Sequence, residues 1–264
     1  MHFDHLIIFA GQSNMQGQCE APAITTRVEN AYEYRLLTDE IRPLTAPVGE
    51  NIAVGGGKLH IPNWQDVPAI LNGSTLLAPV DGNANMVPAF MQAFIRKTGK
   101  PALAVHTAKG STQIDYWLKG NTGYAALTEK VAKAIKKASP KHVYLVWLQG
   151  ESDAIAGVKE QEYYEKLILL KNQLKEDLGL EKFGVIRVGV FTMNSADEEI
   201  MRAQSRACQT DSDFLMLTEI AKELFNSPRY MNPFAHGHYS AEGMEILGTL
   251  SGSALGRYAV ESEK

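Results

Sequence analysis

Gly11-Gln12-Ser13-Asn14-Met15-Gln16-Gly17 places a serine in a glycine-bounded turn directly after the apolar run Leu6 to Ala10. A serine hydroxyl becomes a useful nucleophile at neutral pH only when a neighbouring base takes its proton. The same residue could instead cap a helix, its oxygen satisfying a free backbone N–H. Near the other end of the chain, His236-Gly237-His238 with Glu242 offers two imidazoles and a carboxylate. Such a set could bind zinc, although a short H-x-H is a weak signal. Glu151 and Asp153 form a carboxylate pair that could do acid–base work, or could bond local backbone N–H groups. Gly110 allows close approach of its backbone to a substrate. Trp117 could offer a flat apolar face to a bound ligand or belong to the core.

The elements that must position these residues alternate. Strand-like runs occur at 5–10, 102–106, 142–148, 185–191 and 214–217. Helical stripes run through Val87, Phe90, Met91, Phe94 and Ile95, then Leu127, Val131 and Ile135, then Tyr163, Leu167, Leu170, Leu174 and Leu178. Gly179 suits a C-cap, and Ser195-Ala196-Asp197-Glu198 has the capping-box form. A last helix follows Ser240. This alternation predicts a single three-layer α/β domain over 1–264 with about five mostly parallel strands. Residues from about 20 to 84 hold six prolines and Gly55-Gly56-Gly57, and read as a loop-rich insertion over the sheet's carboxyl edge.

Four blocks, taken together, carry a resemblance. Gly-Gln-Ser-Asn-Met with Gly17 is similar to the nucleophile block of the carbohydrate-esterase branch of SGNH hydrolases, the sialate O-acetylesterase and acetylxylan-esterase group. Lys109-Gly110-Ser111-Thr112, Trp147-Leu148-Gln149-Gly150-Glu151-Ser152-Asp153 and His238-Tyr239-Ser240-Ala241-Glu242-Gly243 resemble its remaining blocks, in order. The resemblance implies a flavodoxin-like SGNH fold and a serine esterase that removes acetyl groups from a sugar through an acyl-enzyme. It assigns Ser13 as nucleophile and His238 as base, with His236 the rival. It further implies an oxyanion hole from the N–H groups of Ser13 and Gly110 and the amide of Gln149, with Glu151 supporting the loops. Ser152 stands near the position that asparagine holds in other SGNH enzymes. One position departs from the pattern: Ala235 stands where many SGNH enzymes place the triad aspartate. A backbone carbonyl in the Phe234 to Gly237 turn could orient His238 instead.

Composition narrows the alternatives. With 45% hydrophobic and 21% charged residues and a net charge of −4, the chain has the balance of a globular domain and no basic footprint for nucleic acid or anionic membrane. No apolar run reaches the ~20 residues that cross a bilayer. The first residues lack the form of a signal peptide, so a cytoplasmic location is the default expectation, or a secreted one if a leader has been removed. Two cysteines are too few for a disulfide framework. No cofactor or metal is required for serine acyl transfer. The competing readings are a carbohydrate-binding protein of the same fold with little turnover, and an esterase or thioesterase acting on a non-sugar ester.

Overall fold

The computed structural model describes residues 3–20, 27–46, 48–49 and 84–263. Among these residues the sheet has seven strands: β1 (His5–Gly11), β2 (Arg27–Arg35), β3 (Glu40–Thr45), β4 (Ala102–His106), β5 (His142–Leu148), β6 (Lys182–Ile186) and β7 (Phe214–Thr218). They lie in the order β3-β2-β4-β1-β5-β6-β7, every neighbouring pair parallel except β2 with β3. All residues of β1 and β4 are buried, as expected of central parallel strands covered on both faces.

The expected five strands thus become seven. The added pair lies inside the segment read as loop-rich. Prolines and polar residues hide the strand pattern there because β2 and β3 form one edge of the sheet, where a proline such as Pro43 is tolerated. Residues 21–26, 47 and 50–83 of that segment, including Gly55-Gly56-Gly57, fall outside the described residues.

Among the described residues the α-helices are α1 (Ser13–Gln16), α2 (Val87–Thr98), α3 (Thr122–Ala138), α4 (Glu151–Ala156), α5 (Glu160–Leu178), α6 (Ser195–Thr210), α7 (Ala221–Leu224) and α8 (Ala241–Ser262). One helical layer joins α2 to α8, and a second runs through α3, α5 and α6. The first depends on close approach: a Cβ at Gly252 would sit 2.2 Å from the Phe90 carbonyl oxygen. Gly179 caps α5 with φ 66°, and the Ser240 hydroxyl caps α8 by accepting from Gly243 N–H. At α6 the cap is Asn194, one residue before the expected Ser195. Asp197 thereby becomes the third residue of α6, and its carboxylate accepts from N–H groups ahead of the cap instead of from the Asn194 N–H that a capping box would use.

The sheet also sets where ligands can bind. From β1 the chain reaches β4 on one side and β5 on the other. Their carboxyl ends, which carry Ser13, Gly110 and Gln149, diverge at this switch point, where open α/β sheets leave a crevice.

The strand expected over 185–191 ends instead at Ile186. Its ladder to β7 shifts register after Val185, and Val188 N–H bonds the side chain of Gln204 (2.9 Å) rather than a neighbouring strand. The chain leaves the sheet there and carries Phe191 toward the histidine loop.

Candidate active site

Gly11 makes the turn into α1 possible. It has φ 144°, and a Cβ on it would lie 2.0 Å from the Leu148 carbonyl oxygen, so a side chain has neither the conformation nor the room. Ser13 follows at the first position of α1, where a backbone N–H has no partner within the helix.

His238 Nε2 lies 2.8 Å from Ser13 Oγ, and its Nδ1 lies 2.9 Å from the His236 carbonyl oxygen. A carbonyl can only accept, so Nδ1 carries the proton and Nε2 is left as the acceptor for the serine O–H. Burial lowers the His238 pKa below its usual value, against the smaller opposing effect of its bonds to backbone at His236 and Ala235. The rival His236 is exposed and puts Nε2 against the Phe191 carbonyl oxygen (2.7 Å). Glu242 is paired with Arg229. The three groups of the zinc alternative thus engage separate partners.

Gly110 abuts the nucleophile: a Cβ on it would stand 3.5 Å from Ser13 Cβ. Its N–H donates to Gln16 Oε1 at 2.7 Å. A substrate oxygen must displace that carboxamide to use the same donor.

Two sequence expectations need correction. Gln149 is fully buried, and its amide nitrogen donates to the Thr112 carbonyl (2.8 Å) and to Asp153 Oδ2 (2.5 Å), while its Oε1 accepts from Tyr163 O–H (2.9 Å). Both amide hydrogens are committed, so the group braces the site and does not present a donor to an oxyanion. Trp117 is also fully buried, edge-on to Trp147, with its indole N–H given to Thr112 Oγ1 (3.1 Å). No face of its ring is available to a sugar.

Glu151 is buried, with Oε1 accepting from Asn14 Nδ2 at 2.8 Å and Oε2 unpartnered among the described residues. Burial raises its pKa, an effect that exceeds the opposing bond from Asn14. Asp153 accepts from Ile114 N–H (3.0 Å) as well as from Gln149, and burial pushes its pKa up to about 7. Neither carboxylate bonds Ser13 or His238. Ser152 sits in the first turn of α4 with its N–H given to Gln12 Oε1 (3.1 Å).

Sequence reasoning passed over the amides beside the serine. Gln12 Oε1 accepts from Gln149 (3.3 Å) and from the N–H groups of Gly150 and Ser152. Asn14 Nδ2 also donates to the Gly237 carbonyl at 3.1 Å, while its Oδ1 accepts from Tyr239 N–H at 3.4 Å. The nucleophile turn is thereby stitched to the end of β5 and to the histidine loop. Two amides flanking a serine in one short motif were the available signal. His106 was overlooked as well; its Nε2 lies 3.1 Å from the Met15 carbonyl under α1.

A serine and a histidine in hydrogen-bond contact at the switch point of an α/β sheet form an arrangement that can carry acyl transfer. The sequence model of the family described as "Carbohydrate esterase, sialic acid-specific acetylesterase" matches residues 4–248, and the chain belongs to that family. It is a carboxylic ester hydrolase with the SGNH fold. A protein from Arabidopsis thaliana has a similar structure, with a TM-score of 0.63 at 17% identity and 98% of each chain covered. The structure of NanS compares at 0.61 and 13% identity, covering 98% of this chain and 99% of that one. A carbohydrate acetylesterase from Xanthomonas citri gives 0.57 at 16% identity, covering 99% of this chain and 57% of the other. At these identities the likeness concerns the fold. Comparison with curated proteins by sequence found no match. Among the described residues, no helix is long and apolar enough to cross a membrane.

Proposed function

We propose that this enzyme removes O-acetyl groups from a sugar, with Ser13 and His238 acting as a dyad through an acetyl-enzyme. The observation that carries the reading is the continuous bond line Ser13 Oγ, His238 Nε2, His238 Nδ1, His236 carbonyl, with steps of 2.8 and 2.9 Å on either side of the ring. Membership of a carbohydrate-esterase family supports the choice of substrate.

In this mechanism His238 Nε2 takes the Ser13 proton as Oγ attacks the acetyl carbonyl carbon. The negative charge that develops on the carbonyl oxygen meets the N–H groups of Ser13 and of Gly110, the latter once the Gln16 carboxamide has moved aside. As the tetrahedral species collapses, the imidazolium returns the proton to the departing sugar oxygen. Water then attacks the acetyl-enzyme by the same route, with His238 as base, and releases acetate. The His236 carbonyl stabilises the imidazolium with a dipole in place of a full negative charge.

Acetate release from acetylated xylose, xylan and sialic acids, measured for the wild-type enzyme and for Ser13→Ala, tests both parts. The expected outcome is turnover of at least one acetylated sugar and its loss by several orders of magnitude in the variant. Hydrolysis that survives in Ser13→Ala contradicts the nucleophile. Activity confined to lipid esters or thioesters contradicts the substrate class.

A further inference from the structure

The carbonyl that orients His238 belongs to an exposed turn, and a carbonyl on such a turn holds direction only if the turn itself is held. Ala235 removes the carboxylate that would otherwise have done the orienting from a fixed side chain. The structure shows what bears on the turn instead. The His236 ring gives Nε2 to the Phe191 carbonyl at 2.7 Å, and the Phe191 ring stands edge-on to both His236 and His238, with centroids 5.8 and 5.7 Å away. Gly237, with φ 70°, lies so close to that ring that a Cβ would be 2.2 Å from it. Phe191 is therefore the wall against which the histidine turn rests.

Phe191 lies beyond the end of β6 and has no strand to hold it. Its segment is gathered by one carboxylate. Asp197, 3% exposed, accepts from the N–H groups of Phe191 (3.2 Å), Thr192 (3.0 Å) and Met193 (3.0 Å). Met193 takes φ 58° within this loop, a conformation that costs energy for a residue with a side chain. The cradle of successive N–H groups around an anion balances that cost. Asp197 is anchored in the first turn of α6, a helix of 16 residues packed on α5 and on β7.

We propose that Asp197 is the positioning residue for His238, doing by relay the orienting work that a triad aspartate does by contact. The relay runs from the Asp197 carboxylate to the 191–193 backbone, from the Phe191 carbonyl and ring to His236 and Gly237, and from the His236 carbonyl to His238 Nδ1. Asp197 touches neither substrate nor the reacting atoms. Its effect is on which imidazole nitrogen holds the proton and on the direction of Nε2. The inference rests on the serine–histidine reading given above.

The test uses the full chain with Asp197→Ala, Asp197→Asn and His236→Ala. His236 is exposed, so His236→Ala leaves the core intact while keeping its backbone carbonyl and losing only the ring's tie to Phe191. Two readouts are taken: kcat and KM on an acetyl ester, and the His238 tautomer by 15N NMR of the imidazole. The wild-type ring should hold its proton on Nδ1. Asp197→Ala and His236→Ala should each lower kcat about ten- to a hundredfold with KM changed less than about threefold, and should convert the ring to a tautomer mixture. Asp197→Asn keeps one acceptor oxygen and should fall between wild type and Asp197→Ala. Wild-type kcat and an unmixed Nδ1–H tautomer in His236→Ala and Asp197→Asn would overturn the inference, whether or not Asp197→Ala folds. If Ser13→Ala in the same assay remains active, the failure lies with the serine–histidine reading instead.

Discussion

Replacing Ala235 with aspartate probes the dyad where it differs most from a full triad. The Ala235 carbonyl accepts from His238 N–H at 3.2 Å, so position 235 is fixed one tight turn before the base. A carboxylate reaching to about 4 Å from Nδ1 would interact with the imidazolium by about 4 kcal/mol at an effective dielectric of 20. That sets an upper bound of about three pH units; sharing Nδ1 with the His236 carbonyl and with water reduces it to about one or two. The sign follows from the charge: a negative neighbour favours the imidazolium, so the His238 pKa rises. In the wild-type enzyme burial holds that pKa below its usual value, so the acidic limb of kcat/KM lies below about pH 6.5. In Ala235→Asp the limb should move upward by about one unit or more, whether or not kcat improves. Rate profiles of both proteins between about pH 4 and 9 provide the measurement, with a crystal structure of the variant to show the contact. An acidic limb that stays in place, although the introduced carboxylate is seen to touch His238, would refute the carbonyl-oriented dyad by implying that another acid already serves the base.

Two further outcomes follow from buried polar groups. Gln149→Ala removes the side-chain donor to the Thr112 carbonyl and to Asp153, leaving Asp153 only its bond from Ile114 N–H, and should cost about 1 to 3 kcal/mol of stability in denaturant titrations; wild-type stability with a pure kcat loss would return Gln149 to the oxyanion. His5 is fully buried between Phe94, His142 and Tyr144, and burial, aided by His142, lowers its pKa from 6.5 to about 4. The unfolded chain therefore binds this proton first as pH falls, so stability present above about pH 6.5 is lost progressively down to about pH 4, by about 3 kcal/mol. His5→Phe should flatten that part of the stability–pH curve, and an unchanged slope would mean that other groups cause it.

The core of the fold was legible because β1, β4 and β5 are short apolar runs closed by turns, and because helices such as α5 carry unbroken stripes ended by a glycine cap. The strands β2 and β3 escaped because an edge ribbon needs no continuous apolar run, and the end of β6 was overshot because Val188 and Val190 look like strand but lie beyond its ladder. Within the site, Ser13, Gly110 and His238 were legible as motif positions. Gln149 and Trp117 were misjudged because a motif gives an amide or an indole its place and not its partners. Asp197 lies inside the Ser195 to Glu198 capping-box pattern, which by itself assigns it no role. Its three backbone donors lie four to six residues earlier and are brought to it by a turn that no local pattern announces.

The most direct test of the central claim is covalent labelling by an acetyl-ester-mimicking organophosphonate, followed by mass spectrometry of the intact protein and its peptides. The account predicts one adduct on Ser13, loss of activity in proportion to labelling, no adduct in Ser13→Ala and labelling slowed by orders of magnitude in His238→Ala. An adduct on another residue, or full esterase activity in a protein fully labelled at Ser13, would contradict it.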